Sequence, residues 1–392
     1  MAIDVERARR DTPAATNVLH FNNAGAALMP VPVLRAQIDH LELEAASGGY
    51  EAAAVADDRI EGVYRSIARL LNARADEIAL VENATVAWDM AFYSITLGPG
   101  DRILTAQAEY ASNYIAFLQV ARRTGARVDV VPSNADGEVD INAIERMIDG
   151  RVKLIAITHV PTNGGLVNPA AAIGRVARAH GILYLLDACQ SVGQMPIDVA
   201  AIGCDMLSAT GRKYLRGPRG TGFLYVRRDI LDRLEPPFLD LQAATWVAPD
   251  RYEMRPDARR FENWERNVAG QLGLGAAVDY ALGWGLEAIA ARIEPLAADL
   301  RRRLAEIRHV TVRDLGLRPC GIVTFTVDGA AAQDIVARLR ARSINCSAST
   351  PSSTLLDARA RQLPDLVRAS VHYYNTKDEV ARFADAIAEL AG

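Results

Sequence analysis

The sequence predicts an α/β fold, in which a mostly parallel sheet is flanked by helices and is followed by a smaller α+β domain at the C-terminal end. Three observations indicate this fold. Half of the 392 residues are hydrophobic, which is enough for a large core. Short apolar runs alternate with helical patterns from residue 77 to residue 226, as expected for parallel strands wrapped by helices. From residue 286 onward the spacing of strands and helices changes.

Seven strands are predicted in the first region, each from a short apolar run. In chain order they are EIALVEN, RILTAQA, RVDVVPS, KLIAITHV, ILYLLDA, DMLSATG and GFLYVRR. The helices between them include TVAWDMAFYSITL, SNYIAFLQVARRTG and AAAIGRVARAHG. The last two helices end at Gly125 and Gly181, where a left-handed cap is expected.

The C-terminal region begins with a long Arg-rich amphipathic helix. It continues with the strands VTVRDL and GIVTFTV, the helix AAQDIVARLRARS, the strand VRASVHYY and a last helix. Residues 228–262 lack clear periodicity, so we expect a long excursion over the site or an interface there. The predicted parts are an N-terminal segment, 1–45, that packs near the small domain, a large domain, 46–285, and the small domain, 286–392.

Composition excludes several classes of protein. The net charge of −4, with arginines scattered among acidic residues, predicts no nucleic-acid partner. No apolar run has the length of a signal-peptide core or a membrane span, so we expect a cytoplasmic protein without membrane contact. The four cysteines, Cys189, Cys204, Cys320 and Cys346, form no close pair and are expected to be buried thiols. The histidines show no ligand spacing, so no metal is predicted.

Lysine is rare in this chain, because only Lys153, Lys213 and Lys377 accompany the many arginines. A lysine amine can lose its proton when buried and then attack a carbonyl, whereas arginine stays protonated. Lys213 is the best candidate for such chemistry, since it follows an apolar strand and precedes a Gly/Pro/Arg loop. Asp187 ends another strand, at the sheet edge where ligands of open α/β folds bind. Locally, Lys213 could equally be a solvated loop lysine and Asp187 a turn or cap residue.

Six motifs, which follow one another in a characteristic order along the chain, indicate a resemblance to a known family. They are HFNNAGAALMP at 20–30, ENATVAWD at 82–89, ITHVPTNGGLVNP at 157–169, DACQSVGQMPIDV at 187–199, SATGRKYLRGPRGTGFLYV at 208–226 and VRASVHYYNTKDEV at 367–380. Over nearly its whole length the chain resembles the class V aminotransferase family of pyridoxal-phosphate (PLP) enzymes. This family also holds cysteine desulfurases, isopenicillin N epimerase-like proteins and ergothioneine-pathway C–S lyases. The resemblance implies PLP fold type I, with pyridoxal 5′-phosphate bound by the large domain.

The resemblance assigns the cofactor-binding residues. Lys213 would form an imine with the cofactor and act as the catalytic base, Asp187 would pair with the pyridine nitrogen, and Gln190 would bond the phenolic oxygen. The full implied set is Asn83, Ala84, Thr85, Tyr110, Thr162, Asn163, Asp187, Gln190, Ser208, Thr210, Arg212 and Lys213. Within this set, the helix start at Asn83, Ala84 and Thr85, together with Ser208, Thr210 and Arg212, would serve the phosphate. The helix start could equally be a plain N-cap.

The resemblance also implies a substrate pocket for a small amino acid. Arg368 would grip the α-carboxylate in a two-pronged contact, and Asn23, Ala24 and Gly25 would form the opposite wall. Arg368 could instead be a solvated strand residue, and Asn23 a turn residue. A homodimer is implied, with the partner-subunit candidates Glu262, Trp264 and Arg266 in RFENWERN, which could otherwise merely open a surface helix.

Two departures from the family pattern bear on the reaction. In the family an aromatic or histidine ring usually stacks on the cofactor. The matching position in this chain is Ala111, so Tyr110 is a candidate substitute. Desulfurases carry a nucleophilic cysteine on a loop, and the matching position in this chain is near Ser352. Cys346 lies in a predicted strand, where a cysteine is usually an inert thiol.

These departures favour a β-eliminating C–S lyase of a cysteine derivative, acting through Lys213 and loss of the Cα proton. The segments SGGYEAA and GRKYLRGPRGTG also look closer to the ergothioneine C–S lyases. An aminotransferase or an amino-acid epimerase is the alternative, and a cysteine desulfurase is disfavoured. A catalytically silent PLP-binding protein is the non-enzyme alternative.

Overall fold

The structure, a computed structural model, describes residues 2–392. The helices are α1 Val5–Arg10, α2 Asn23–Ala26, α3 Val31–Ser47, α4 Gly49–Val55, α5 Asp57–Leu71, α6 Ala84–Tyr93, α7 Ala111–Thr124, α8 Ile141–Met147, α9 Ala170–Ala179, α10 Val199–Ile202, α11 Val268–Trp284, α12 Leu286–Ala305, α13 Ala332–Arg340, α14 Leu355–Ala360 and α15 Lys377–Ala391. The strands are β1 Leu19–His20, β2 Ile78–Val81, β3 Arg102–Ala106, β4 Arg127–Val131, β5 Val152–Thr158, β6 Leu183–Asp187, β7 Met206–Thr210, β8 Gly222–Val226, β9 Ala244–Ala248, β10 Arg251–Met254, β11 Val310–Val312, β12 Ile322–Val327, β13 Ile344–Asn345, β14 Ser347–Ser349 and β15 Leu366–Ser370.

A seven-stranded sheet in the order β2-β8-β7-β6-β5-β3-β4 forms the centre of the molecule. The neighbours from β7 to β4 are parallel, and only β8 runs antiparallel to its two neighbours. The central strands β5 and β6 are buried almost throughout, as expected when helices cover both faces. The predicted α/β fold with a mostly parallel sheet is therefore confirmed.

Each predicted strand of the large region corresponds to one strand of this sheet. The helix ends also follow the prediction, because Gly125 and Gly181 both have the left-handed backbone that a cap requires. The unassigned stretch 228–262 contains an antiparallel hairpin, β9 and β10, which the sequence did not predict. Both strands of the hairpin are largely exposed, so they lack the alternation that would have indicated a strand.

A second sheet, β11-β12-β15-β14, is antiparallel and belongs to the C-terminal region. The N-terminal segment packs against this region, because β1 pairs in parallel with β13. Within residues 2–392, no helix is both long and apolar enough to cross a membrane. The division into 1–45, 46–285 and 286–392 stays a prediction.

The fold collects polar residues at one edge of the central sheet. Thr158, Asp187 and Thr210 are the last residues of β5, β6 and β7, which are neighbouring parallel strands. The carboxyl ends of parallel strands meet at the same edge, where open α/β sheets bind ligands. The N-terminal segment and β15 approach this edge, since Asn23 and Ala24 both hydrogen bond to Ser370.

Candidate active site

Lys213 and Asp187 line one pocket at the carboxyl edge of the sheet. Asp187 ends β6, and Lys213 lies three residues after the end of β7, in the turn that leads to the Gly/Pro/Arg loop. The pocket is lined by Tyr110, Thr158, Val160, Thr162, Asp187, Cys189, Gln190 and Lys213. Topology thus joins residues that are far apart in sequence, including five of the predicted cofactor-binding side chains.

The Lys213 amine is held in surroundings that favour its neutral form. Burial is the main cause that lowers the pKa of Lys213. The positive charges of Arg212 and Arg368 lower it further, whereas the charge of Asp187 acts against them. An amine with a lowered pKa is more often unprotonated and can therefore act as a nucleophile and a base.

The Asp187 carboxylate accepts hydrogen bonds from two neutral donors. The Cys189 amide N–H donates to Oδ1 at 2.9 Å, and the Asn113 amide Nδ2 donates to Oδ2 at 3.0 Å. Asp187 is only 5% exposed, and no ion pair to it is found among residues 2–392. A buried carboxylate without a cation is well suited to pair with a protonated ring nitrogen.

Arg368 is a partly buried arginine of β15 whose hydrogen-bond partners are neutral. Its Nη1 donates to Thr162 Oγ1 at 2.5 Å and to the Thr162 carbonyl at 3.2 Å, and its Nε donates to Ser347 Oγ at 3.2 Å. No carboxylate pairs with it within the described residues, and burial lowers its pKa. The guanidinium thus lacks a negative partner, which a substrate carboxylate could supply.

The predicted substrate wall at Asn23, Ala24 and Gly25 lies beside Gln190 and Arg212. The Asn23 side chain itself is committed to the fold, because Nδ2 donates to the Ser370 carbonyl at 2.7 Å and Oδ1 accepts from Tyr374 at 2.5 Å. The backbone carbonyls of this wall face the site. Gln190 Nε2 donates to Ala24 O at 3.2 Å, and Arg212 donates to the carbonyl of Gly25.

Buried polar atoms near the pocket have unused hydrogen-bonding capacity. Gln190 Oε1, Asn163 Oδ1 and Ser208 Oγ have no partner among the described residues. Buried polar atoms are normally satisfied, so these atoms fit a pocket built for a polar ligand. Thr162 is bonded to Arg368, and Asn163 donates only a long hydrogen bond, 3.4 Å, to Thr354. The residues present therefore fit pyridoxal phosphate.

The phosphate candidates are placed in two groups. The start of α6 contains Asn83, whose Oδ1 accepts from Val86 N at 3.0 Å, so the N-cap interpretation of Asn83 is also observed. Ala84 and Thr85 follow in the first turn. Thr210 ends β7 and donates to the Thr221 carbonyl at 3.2 Å.

A glycine brings these two groups together. Gly222 pairs with Thr210, and a Cβ on Gly222 would come within 2.8 Å of the Asn83 backbone. The Arg212 side chain donates to the Gly25 carbonyl in the N-terminal segment, and its role at the phosphate stays a prediction.

Glu262, one of the partner-subunit candidates, is hydrogen bonded within its own chain. Its carboxylate is 2% exposed and accepts from Tyr64 Oη and Leu80 N, each at 2.8 Å, and from Gln242 at 3.2 Å. These contacts lie within one chain, and the role of Glu262 at a partner subunit stays a prediction. Trp264 is 50% exposed and Arg266 is partly exposed, and both remain candidates.

All four cysteines are free thiols. Burial raises the pKa of Cys346 to about 12 and that of Cys189 to about 11. Cys346 is 4% exposed and lies between β13 and β14, as expected for an inert thiol. Ser352, near which the family resemblance implies the cysteine of desulfurases, is exposed in a 3₁₀ turn, Pro351–Thr354. No cluster of metal-ligating side chains is found in residues 2–392.

Glu109 is a functional candidate that sequence reasoning missed. It lies just before α7, is 3% exposed, and accepts hydrogen bonds from Asn113 Nδ2 at 2.8 Å and from Thr158 Oγ1 at 2.5 Å. Burial raises its pKa to about 7, against the effect of these hydrogen bonds, and the charge of Asp187 raises it too. An acidic residue between an apolar strand and a helix is a common pattern, so only the burial singles it out.

The raised pKa predicts how Glu109 affects stability. Between pH 4.5 and about 7 the folded protein retains a proton that the unfolded chain has lost, so the free energy of unfolding falls as the pH rises. Each pH unit is worth about 1.4 kcal/mol, so the fall amounts to about 3 kcal/mol. Urea unfolding of the cofactor-free protein at pH 5 and pH 8 should show this loss, and Glu109→Gln should lack it. An equal pH dependence in both proteins would contradict the prediction.

Comparison with known proteins gives one family. The sequence model described as Aminotransferase class-V matches residues 19–383. A probable cysteine desulfurase of Methanothermobacter thermautotrophicus is 30% identical, with 99% of this chain and 98% of that protein covered. A cysteine desulfurase of Enterobacter sp. strain 638 is 32% identical, with 100% and 99% covered. The solved apo structure of a cysteine desulfurase from Thermococcus onnurineus superposes with a TM-score of 0.91 at 28% identity, covering 100% and 98%.

These matches extend over almost the full length of each chain, and they agree with the motifs, the sheet topology and the pocket. They confirm the enzyme class, the cofactor and the fold expected from the resemblance. The chain belongs to the class V aminotransferase family of pyridoxal-phosphate-dependent enzymes.

Proposed function

We propose that this protein is a C–S lyase that acts on a small cysteine derivative. The observation that carries the proposal is the state of the thiols around a site otherwise equipped for amino-acid chemistry. A desulfurase needs an exposed, activated thiolate near the substrate sulfur. Here the loop position holds Ser352, and Cys346 is buried with a raised pKa. Cys189 lies next to Asp187, at the end of the pocket assigned to the ring nitrogen.

Three residues carry out the reaction in this proposal. Arg368 binds the substrate carboxylate and thereby orients the Cα–H bond. Lys213 would hold the cofactor and would remove the Cα proton of the substrate. Asp187 would pair with the ring nitrogen of the cofactor. When bound, pyridoxal phosphate supplies a ring that accepts the electron pair left on Cα.

The overall reaction consumes one water molecule. The Cα proton passes to Lys213, the Cβ–S bond breaks, and sulfur leaves with the bonding electron pair as a thiol after protonation. The three-carbon remainder takes up water and ends as pyruvate and ammonium. No protein thiol takes part in this sequence, which is why the buried cysteines do not hinder it.

A cysteine desulfurase is the second candidate. The relatives at 30% and 32% identity carry that name, and their similarity extends over nearly the whole chain. The products separate the candidates, since a desulfurase converts cysteine to alanine and a lyase yields pyruvate. An aminotransferase would instead need a keto acid, and an epimerase would change only the configuration at Cα. Incubating the loaded enzyme with cysteine and cystine, and measuring pyruvate, alanine, ammonia and sulfide, decides among them.

The buried thiol provides a specific prediction. Cys346→Ala should leave the rate of sulfur release within about twofold of the wild type, because a buried thiol with a raised pKa takes no part in the reaction. The measurement is pyruvate production at saturating cystine, and sulfide and pyruvate production at saturating cysteine. Loss of activity without loss of folded protein would favour the desulfurase.

A homodimer forms part of the proposal. Leu41, Tyr50 and Trp264 are 52%, 77% and 50% exposed, and Tyr50 and Trp264 share a concave surface with Arg266. Exposed apolar groups of this size are typical of a protein–protein contact. Light scattering should give a mass of two chains, and Trp264→Glu should shift it toward one.

A further inference from the structure

The Asn113 side chain joins two buried carboxylates. Its Nδ2 donates to Glu109 Oε1 at 2.8 Å and to Asp187 Oδ2 at 3.0 Å. Nδ2 carries two hydrogens, so each carboxylate receives one of them. The reverse orientation of the amide would set an oxygen against two carboxylate oxygens. The bridge therefore holds both carboxylates as acceptors, with Asn113 only 3% exposed.

Glu109 is held by neutral donors alone. Besides Asn113, it accepts from Thr158 N at 3.1 Å, Thr158 Oγ1 at 2.5 Å, Thr105 Oγ1 at 3.1 Å and Tyr110 N at 3.0 Å. No ion pair to Glu109 is found in residues 2–392. A second buried carboxylate beside Asp187 is unfavourable for stability, so its presence indicates a functional use.

We propose that Glu109 is a positioning residue for the ring nitrogen of the cofactor and acts on it through Asn113 and Asp187. The bridge fixes the Asp187 carboxylate, and the negative charge of Glu109 behind it strengthens the attraction for a protonated ring nitrogen. This inference rests on the proposed role of Asp187. It does not depend on which bond of the substrate the enzyme breaks.

Cofactor binding tests the inference without any turnover. The cofactor-free protein is titrated at pH 8 with pyridoxal phosphate and with the analogue in which a C–H group replaces the ring nitrogen. Glu109→Gln should weaken binding of pyridoxal phosphate about tenfold, the effect of one pK unit, and change binding of the analogue less than about twofold. Glu145→Gln, at an exposed position of α8, should change neither affinity.

A second variant covers the case in which Glu109→Gln does not fold. Asn113→Ala cuts the bridge but leaves the other donors to Glu109, and it should show the same selective loss. If either folded variant weakens binding of both ligands equally, or of neither ligand, Glu109 has only a structural role and the inference is overturned. Asp187→Asn is the reference, because it should weaken binding of pyridoxal phosphate even more than Glu109→Gln does, while changing binding of the analogue little. If it does not, the role of Asp187 fails as well, independently of whether the enzyme forms pyruvate.

Discussion

Replacing Lys213 with alanine is expected to abolish turnover and to remove the visible absorption band of the bound cofactor. Lys213 is the amine that would hold the cofactor and remove the Cα proton, and its pKa is lowered by burial for that purpose. Loss of both the nucleophile and the base should reduce the rate by more than about 10⁴-fold. The measurements are pyruvate formation from cystine and an absorption spectrum of the purified protein.

Lys153→Ala is the matched control for this experiment. Its side chain is 46% exposed and lies near Asp101 on the surface, so the variant should keep both its spectrum and its rate. Full activity of the Lys213→Ala variant would contradict the mechanism proposed for this site.

Replacing Arg368 with glutamine should have the second largest effect. The guanidinium has only neutral partners in the protein, so the substrate carboxylate would provide its negative partner. Truncating one member of a buried charged pair commonly costs about 3 kcal/mol, so kcat/KM should fall about 100-fold or more. Arg368→Lys keeps the charge but loses the fork and should be intermediate.

Steady-state kinetics with cystine measures this loss, and cofactor binding provides the internal check. Arg368→Gln should bind pyridoxal phosphate as tightly as the wild type, whereas a general disruption of the pocket would weaken it. Arg338→Gln, at an exposed position of α13, is the control. If kcat/KM is unchanged in a folded Arg368 variant, another group must bind the carboxylate.

The central sheet was predictable because its strands are buried on both faces. Buried parallel strands must be short apolar runs, and residues such as Leu154–Ile157 and Leu183–Leu186 follow that rule without exception. The hairpin of β9 and β10 was not predictable, because its strands pack little against the core and so have no periodic pattern. Local burial is thus what makes an element readable in a sequence.

Glu262 and Glu109 show that the burial of a single residue is difficult to predict from the sequence. Both are acidic residues in chain segments that look exposed, yet each is buried by segments distant in sequence. Leu80 and Tyr64 provide donors to Glu262, and Thr158 provides donors to Glu109. Donors this far away in the chain leave no signal near the glutamate itself, so the motifs gave no sign that Glu262 is buried and passed over Glu109 altogether.

The order of apolar runs and motifs in the chain was sufficient for the fold class, the family and the pairing of Lys213 with Asp187, because local chemistry and strand ends follow from short stretches of sequence. The folded molecule alone revealed the Asn113 bridge, the neutral surroundings of Arg368 and the burial of Glu109. Each of these depends on contacts between distant segments, and such contacts form only when the chain packs in three dimensions.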